Sequence, residues 1–344
     1  MASSIDFEKT GVQGPLNFDT FGCEVFRENP DTPDKVNPDI KLVRKFYGSG
    51  RLETPDERRV RIWGFFDPES NEREPFPSAL IRVRQGQVVH VTVENGKGSH
   101  TIHHHAIEPT TFNDGTGHTS FEVTGAFTYQ WQPREAGTYL YHCHKNTVLH
   151  YEMGMYGYIV VDPPEGPGRA FEGGPAYDVE AFWAPDDIDP RFHELNHDAG
   201  LCGEDVGLND FNPDIFVITG VPTPLTLTDP RVAVKARLGQ KILVRMLNAS
   251  YSIIRTTIQG LDAQVIAIDG HALGTPERPW NRPFTIRAGQ PFELTTAQRF
   301  DLLIDASAVG SHLVTMQFLD WITREIQDDG KGVAKTKITV EAAG

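Results

Sequence analysis

GQVVHVTVEN (residues 86–95) and GQKILVRMLN (residues 239–248) share one pattern: a Gly-Gln turn, alternating apolar residues, then Asn. The likeness extends outward from both. SHTIHHHAI (99–107) lies over SYSIIRTTI (250–258), and GTYLYHCH (137–144) lies over GSHLVTMQ (310–317). A self-similar pattern of this kind predicts two copies of one structural unit. The surrounding segments are strand-like: VRIWGFF, ALIRVRQGQVVHVTVEN, FTYQWQPREAGTYLYHCH and GYIVVD, then DIFVITGVP, AQVIAID, FDLLIDA, HLVTMQF and KTKITVEA. These are short β-branched and aromatic runs broken by Gly, Pro and Asn, and no long stretch carries a helical period. The expected fold is all-β, two β-sandwiches in tandem. DPPEGPGRAFEGGPA (162–176) reads as the linker. The division is an N-terminal arm (1–40), a first domain (41–163), and a linker with second domain (164–344).

Composition narrows the partners. A net charge of −15 argues against nucleic acid, which needs a basic footprint. No segment approaches the roughly 20 apolar residues of a spanning helix. The opening MASSIDFEKTGVQG has neither a basic start nor an apolar core, so no signal peptide is visible in this chain. That fits a cytoplasmic protein or a trimmed exported one. The chain has three cysteines; Cys23 and Cys202 can pair or stay free if Cys143 is a ligand.

The two copies differ where chemistry is expected. Every histidine of the first copy's two motifs, and Cys143, is replaced at the matching place in the second, by Tyr251, Ile254, Thr256, Thr315 and Gln317 among others. The two-residue strand period sorts the first copy's donors by face. His103 and His105 point one way, His100 and His104 the other. His142 and His144 share a face, and Cys143 points opposite. The segment HCHKNTVLHYEMGMYG (142–157) then adds His150 and Met155 downstream of the cysteine. The inward set, Cys143, His100, His150 and Met155, is a thiolate, two imidazoles and a weak thioether. That is the donor set of electron-transferring copper. Zinc is the rival, but it favours four strong ligands and gains nothing from Met. The outward set is His103, His105, His142 and His144, suited to a cluster across a domain or subunit boundary. His104 reads as a hydrogen-bonded core histidine. His118 could border a substrate cleft but reads rather as an exposed loop residue; His193 and His197, at helix-like spacing, could reach a metal but read rather as an ordinary polar loop; His271 and His312 read as structural or surface residues.

With these motifs in view, the chain resembles the multicopper oxidases, the laccase-like group built from cupredoxin domains. His100, His103 and His105 match the pattern His-x-x-His-x-His. His142, Cys143, His144, His150 and Met155 match His-Cys-His followed by His-x4-Met. The resemblance implies two cupredoxin-like Greek-key sandwiches, with type 1 copper on His100, Cys143, His150 and Met155. It assigns His103 to a type 2 copper, and His105, His142 and His144 to a type 3 pair. The spacing from Cys143 to His150 is two residues longer than in the usual laccase loop, which implies an altered rim. A family cluster takes eight histidines and this chain offers four, so its second domain is expected to be copper-free.

The resemblance implies a copper oxidase. Electrons from a small-molecule donor, by default aromatic, enter at type 1 copper and pass through Cys143 to a cluster that reduces dioxygen. Completing that cluster calls for a homo-oligomer, with a dimer joined through two first domains favoured. The alternatives are a non-catalytic blue-copper carrier or copper-binding protein, and a nitrite-reductase-like enzyme with a single type 2 copper.

Overall fold

The computed structural model describes residues 36–107, 109–117, 121–201 and 203–343. Cys23, Cys202 and His118 lie outside them. The first sandwich comprises β1 (Ile40–Glu53), β2 (Arg59–Phe66), β3 (Ile81–Arg84), β4 (Val89–Ser99), β5 (His103–His105), β6 (Thr124–Trp131), β7 (Gly137–His142) and β8 (Tyr156–Asp162). One sheet runs β2-β1-β4-β6 and the other β3-β8-β7-β5. Alternate residues fill the space between them. Val89, Val91 and Val93 of β4 and Phe127, Tyr129 and Trp131 of β6 meet Tyr139 and Tyr141 of β7, Cys143, and Ile159 and Val161 of β8.

After the linker come β9 (Val179–Trp183), β10 (Pro185–Ile188), β11 (Ile215–Ile218) and β12 (Val221–Pro222). The second sandwich continues with β13 (Val234–Arg237), β14 (Lys241–Leu247), β15 (Ile253–Ile258), β16 (Ala263–Ile268) and β17 (His271–Ala272). It ends with β18 (Phe284–Ile286), β19 (Pro291–Leu294), β20 (Arg299–Asp305), β21 (Gly310–Leu319) and β22 (Val333–Glu341). Its pairings repeat those of the first. β1 runs parallel to β4 and β4 antiparallel to β6; β9 runs parallel to β14 and β14 antiparallel to β20. The order β3-β8-β7-β5 returns as β13-β22-β21-β15, with β19 added at the edge. The repeat read in the sequence is therefore a repeat of topology.

Two features depart from the sequence expectation. SHTIHHHAI is not one strand: β4 ends at Ser99, the chain turns at His100, and β5 resumes at His103. DIFVITGVP does not join the second sandwich. It forms β11 and β12, which pair with β10 in a separate three-stranded sheet. Ile188, Ile215 and Val217 of that sheet pack on Tyr47, Leu52, Val60 and Ile62 of the first sandwich. The arm between β10 and β11 (189–214) is thereby laid across the first domain.

The sandwiches meet through the outward face of β7 and β8. Leu140 and Tyr158 pack with Tyr151, Tyr156, Ala184, Leu247 and Ala249. At one end of the contact Gly137 lies so close to the Gly270 carbonyl that no side chain fits at residue 137. Beyond the other end lies His142.

Candidate metal centre

The inward set assembles at the end of the first sandwich. β7 stops at His142, and Cys143 turns into the core, fully buried. Its N–H donates to the Met155 carbonyl at 3.0 Å, and the Met155 N–H donates to the His150 carbonyl at 3.1 Å. These bonds strap the loop into a cup. The loop contains a single helical turn, Thr147–Glu152, entered through Asn146 in the left-handed region. At six residues this helix is too short to leave an apolar period in the sequence. His150 sits on that turn.

Cys143 Sγ lies 3.3 Å from His150 Nδ1 and 3.8 Å from His100 Nδ1. Bonds of about 2.0 Å to nitrogen and 2.3 Å to sulfur place such atoms about 3.5–3.8 Å apart around a shared ion. The donor set and its spacing fit a metal. Packing holds the rings: Phe46 stacks on His100 at 4.0 Å, and Trp63 meets His150 edge-on at 5.5 Å. Burial pushes the Cys143 thiol up to about 11 and His150 down to about 3, and holds His100 well below its usual value. Both imidazoles are neutral at ordinary pH, the form that donates a lone pair to a metal. Met155 is fully buried in the same core cluster as Cys143.

The outward set gathers where β5 meets β7. His103 faces His142 across the ladder. One ring nitrogen from each of His103, His105 and His142 lies within 4.8 Å of the others. His105 Nδ1 and His142 Nε2 are 3.5 Å apart. His144 stands beside them, its ring 5.4 Å from that of His103 and 5.5 Å from that of His142. Hydrogen bonds from the ring nitrogens to backbone carbonyls set the tautomers. His103 Nδ1 donates to the Asp114 carbonyl at 2.8 Å, and His142 Nδ1 to the Cys143 carbonyl at 2.9 Å. Each leaves Nε2 with its lone pair. Burial, reinforced by the Arg299 charge, lowers His105 to about 4.

The remaining histidines need two corrections and one adjustment. His104 is buried between Tyr129 and Trp131, but neither ring nitrogen has a hydrogen-bond partner among the described residues. Its core role rests on aromatic packing. His193 is not in a polar loop. It is fully buried, with Nδ1 at the Arg61 carbonyl (2.5 Å) and Nε2 3.6 Å from Glu152. His197 is the larger departure. The arm brings it to the inward set, with one ring nitrogen within 4.8 Å of those of His100 and His150. The spacing in FHELNHDAG leaves a metal contact open but cannot say which histidine or which site, because the arm's docking on the first sandwich decides both. His271 bonds Glu135 at 3.1 Å, and His312 bonds the Ala308 carbonyl at 2.8 Å, both structural contacts.

Residues 71–166, which hold both histidine motifs, match the family model for multicopper oxidase. The multicopper oxidase MmcO of Mycobacterium tuberculosis is 29% identical over 251 residues, 63% of this chain and 46% of that protein. A copper-containing nitrite reductase of Neisseria meningitidis is 31% identical over 138 residues, 40% of this chain and 33% of that protein. The blue copper oxidase from Nitrosomonas europaea has the same fold, with a TM-score of 0.67 at 21% identity over 87% of this chain and 85% of its own. The chain spans less than half the length of these two curated relatives. The fold is that of the cupredoxin-type copper oxidases, and the donor set fits a copper ion. Within that class, the chain is a relative of the multicopper oxidases.

Proposed function

We propose that this protein is a laccase-like oxidoreductase with a type 1 copper on His100, Cys143, His150 and Met155. Its second copper cluster, of the type 2/type 3 kind, is built on His103, His105, His142 and His144 and completed by another chain. The observation that carries this reading is the turn at 142–143. Adjacent residues of one strand end point to opposite sides, and His142 Nδ1 donates back to the Cys143 carbonyl. Copper bound at both sets supplies one-electron oxidation of a donor on one side and reduction of dioxygen to water on the other. The chain's part is to hold the inward donors rigid in a dry core and to join the two sets by one peptide unit. Burial also keeps His100, His105, His142 and His150 in their lone-pair form. An aromatic donor is supported by a cavity of about 650 Å³ lined by Val148, Phe192, Phe211, Tyr251 and Trp321. Val148 lies on the helical turn that carries His150.

The second sandwich offers Tyr251, Ile254, Thr256, Thr315 and Gln317 in place of histidines, so the missing ligands come from a second copy. A two-fold axis would bring the same patch against itself. Copper per chain, assembly state and paramagnetic resonance together test this. The dimer carries five coppers, two type 1 and three shared. Two coppers per chain would favour a nitrite-reductase-like site, which the three mutually close nitrogens of His103, His105 and His142 could hold within one chain. One copper per chain would reduce the protein to an electron carrier.

A further inference from the structure

We propose that His197 is a third imidazole ligand of the Cys143 site, delivered by the arm 189–214; this rests on the reading of Cys143, His100 and His150 as copper ligands. The rings of His100, His150 and His197 form a triangle with centroids 4.7, 4.6 and 5.1 Å apart. The corresponding distances among His103, His105 and His142 are 5.4, 5.2 and 5.7 Å. His197 is therefore at least as close to its neighbours as the outward ligands are to one another.

The hydrogen bonds around His197 leave one ring nitrogen uncommitted. Its Nδ1 donates to Asp198 Oδ1 at 2.9 Å. Asp198 is held by Lys145 Nζ at 3.3 Å, and buried Lys145 is held in turn by Glu122 at 3.0 Å and Ser99 at 2.6 Å. A carboxylate on one ring nitrogen, with the other free, is the usual support for a metal-ligating histidine. The free atom, Nε2, is buried and has no hydrogen-bond partner among the described residues. It has room because residue 98 is Gly: a Cβ there would sit 2.7 Å from His197 Nε2, on a backbone with φ +69°. The main chain fixes the arm in register. The His197 carbonyl accepts from His150 Nε2 at 3.0 Å and from Asn146 Nδ2 at 3.3 Å. That first bond commits the His150 proton to Nε2 and leaves Nδ1 facing Cys143.

Two imidazoles and a thiolate with a distant thioether give a trigonal copper site. A third imidazole makes it four-coordinate and favours Cu(II) over Cu(I). The test compares copper-loaded wild type with His197→Ala and His197→Phe. Phe keeps a ring over Gly98 and excludes water, but it has no lone pair. In both variants the thiolate charge-transfer intensity should move to longer wavelength and the copper hyperfine splitting should narrow. The Cu(II)-to-Cu(I) affinity ratio should fall at least tenfold, which raises the reduction potential by about 59 mV per decade. If wild type shows the thiolate–copper band and both variants match it, this inference fails while the copper site stands. It also fails if His197→Phe behaves as wild type and only His197→Ala differs, since His197 would then merely cover the site. A wild type with no thiolate–copper band would remove the parent reading, and this one with it.

Discussion

Replacing Arg245 by Met tests how firmly the second sandwich clamps the strand that ends at His142. Arg245 is fully buried on β14. Its Nε donates to Glu180 at 2.7 Å, its Nη1 to Thr138 Oγ1 at 2.9 Å, and Nη1 lies 3.6 Å from Asp301. Thr138 belongs to β7, and its hydroxyl also donates to Asp301 at 2.5 Å. Removing one member of a buried ion pair costs about 3–5 kcal/mol. Two features pull the figure to the low end. Glu180 keeps Arg82 at 2.7 Å, and Asp301 keeps its Thr138 bond. We expect a loss of about 3 kcal/mol at pH 7, or roughly 6–12 °C in Tm. The sign with pH follows from Asp301, whose pKa burial raises and Arg245 lowers. Without Arg245 the folded-state pKa rises further, and a carboxyl raised on folding favours the native state only while protonated. The deficit should therefore be largest at neutral pH and shrink as pH falls toward the unfolded value of about 3.9. Urea titrations followed by tryptophan fluorescence at several pH values measure it. Arg245→Met with Asp301→Asn should recover more than half of the loss. A deficit under about 1 kcal/mol, or one that does not change with pH, would refute the reasoning.

Cys143→Ser should abolish intense visible absorption of the copper-loaded protein, while Met155→Leu should keep it and shift the reduction potential; a persisting band in the serine variant would remove Cys143 from the site. His142→Ala with His144→Ala should end oxygen consumption and leave the Cys143 band in place, as read by oxygen electrode and spectrum. Glu135→Gln should weaken the domain contact by no more than about 1 kcal/mol, because Glu135 and its partner Arg278 are partly exposed. Arg278 chiefly holds the Glu135 pKa down, at about 2, so this stabilisation is present above the unfolded carboxyl value and is lost as pH falls toward 2. Thermal melts of the two proteins should therefore converge at acid pH.

The division of histidines into two sets was legible because it depends on geometry within a strand. Residues 142 and 143 must face opposite ways on any extended backbone, and His103 and His105 must share a side. The topological repeat was legible for a related reason: each copy must alternate apolar residues to fill its own core, as Val89, Val91 and Val93 do opposite Ile242, Val244 and Met246 in the repeat. What was hidden is set by contacts distant in the chain. His197 is 47 residues beyond His150 and reaches it only because the arm is tied to the first sandwich. Arg61 donates to the carbonyls of His193 and Leu195, Asn146 donates to those of His197 and Ala199, and Lys145 holds Asp198. None of these donors is recognisable from periodicity, and each is an ordinary polar residue in sequence. The same logic separates the two sandwiches. β7 stops at His142 so that Cys143 can turn inward, whereas β21 runs on to Leu319, pairing Thr315 with Thr257 and Phe318 with Ile254. The second copy thus lacks the ligands and also the strand end that would aim them. Single substitutions to histidine in it would add imidazoles to a continuous ladder without creating a turned cysteine cup; what it contributes instead is cover for Leu140 and Tyr158 on the outward face of β7 and β8.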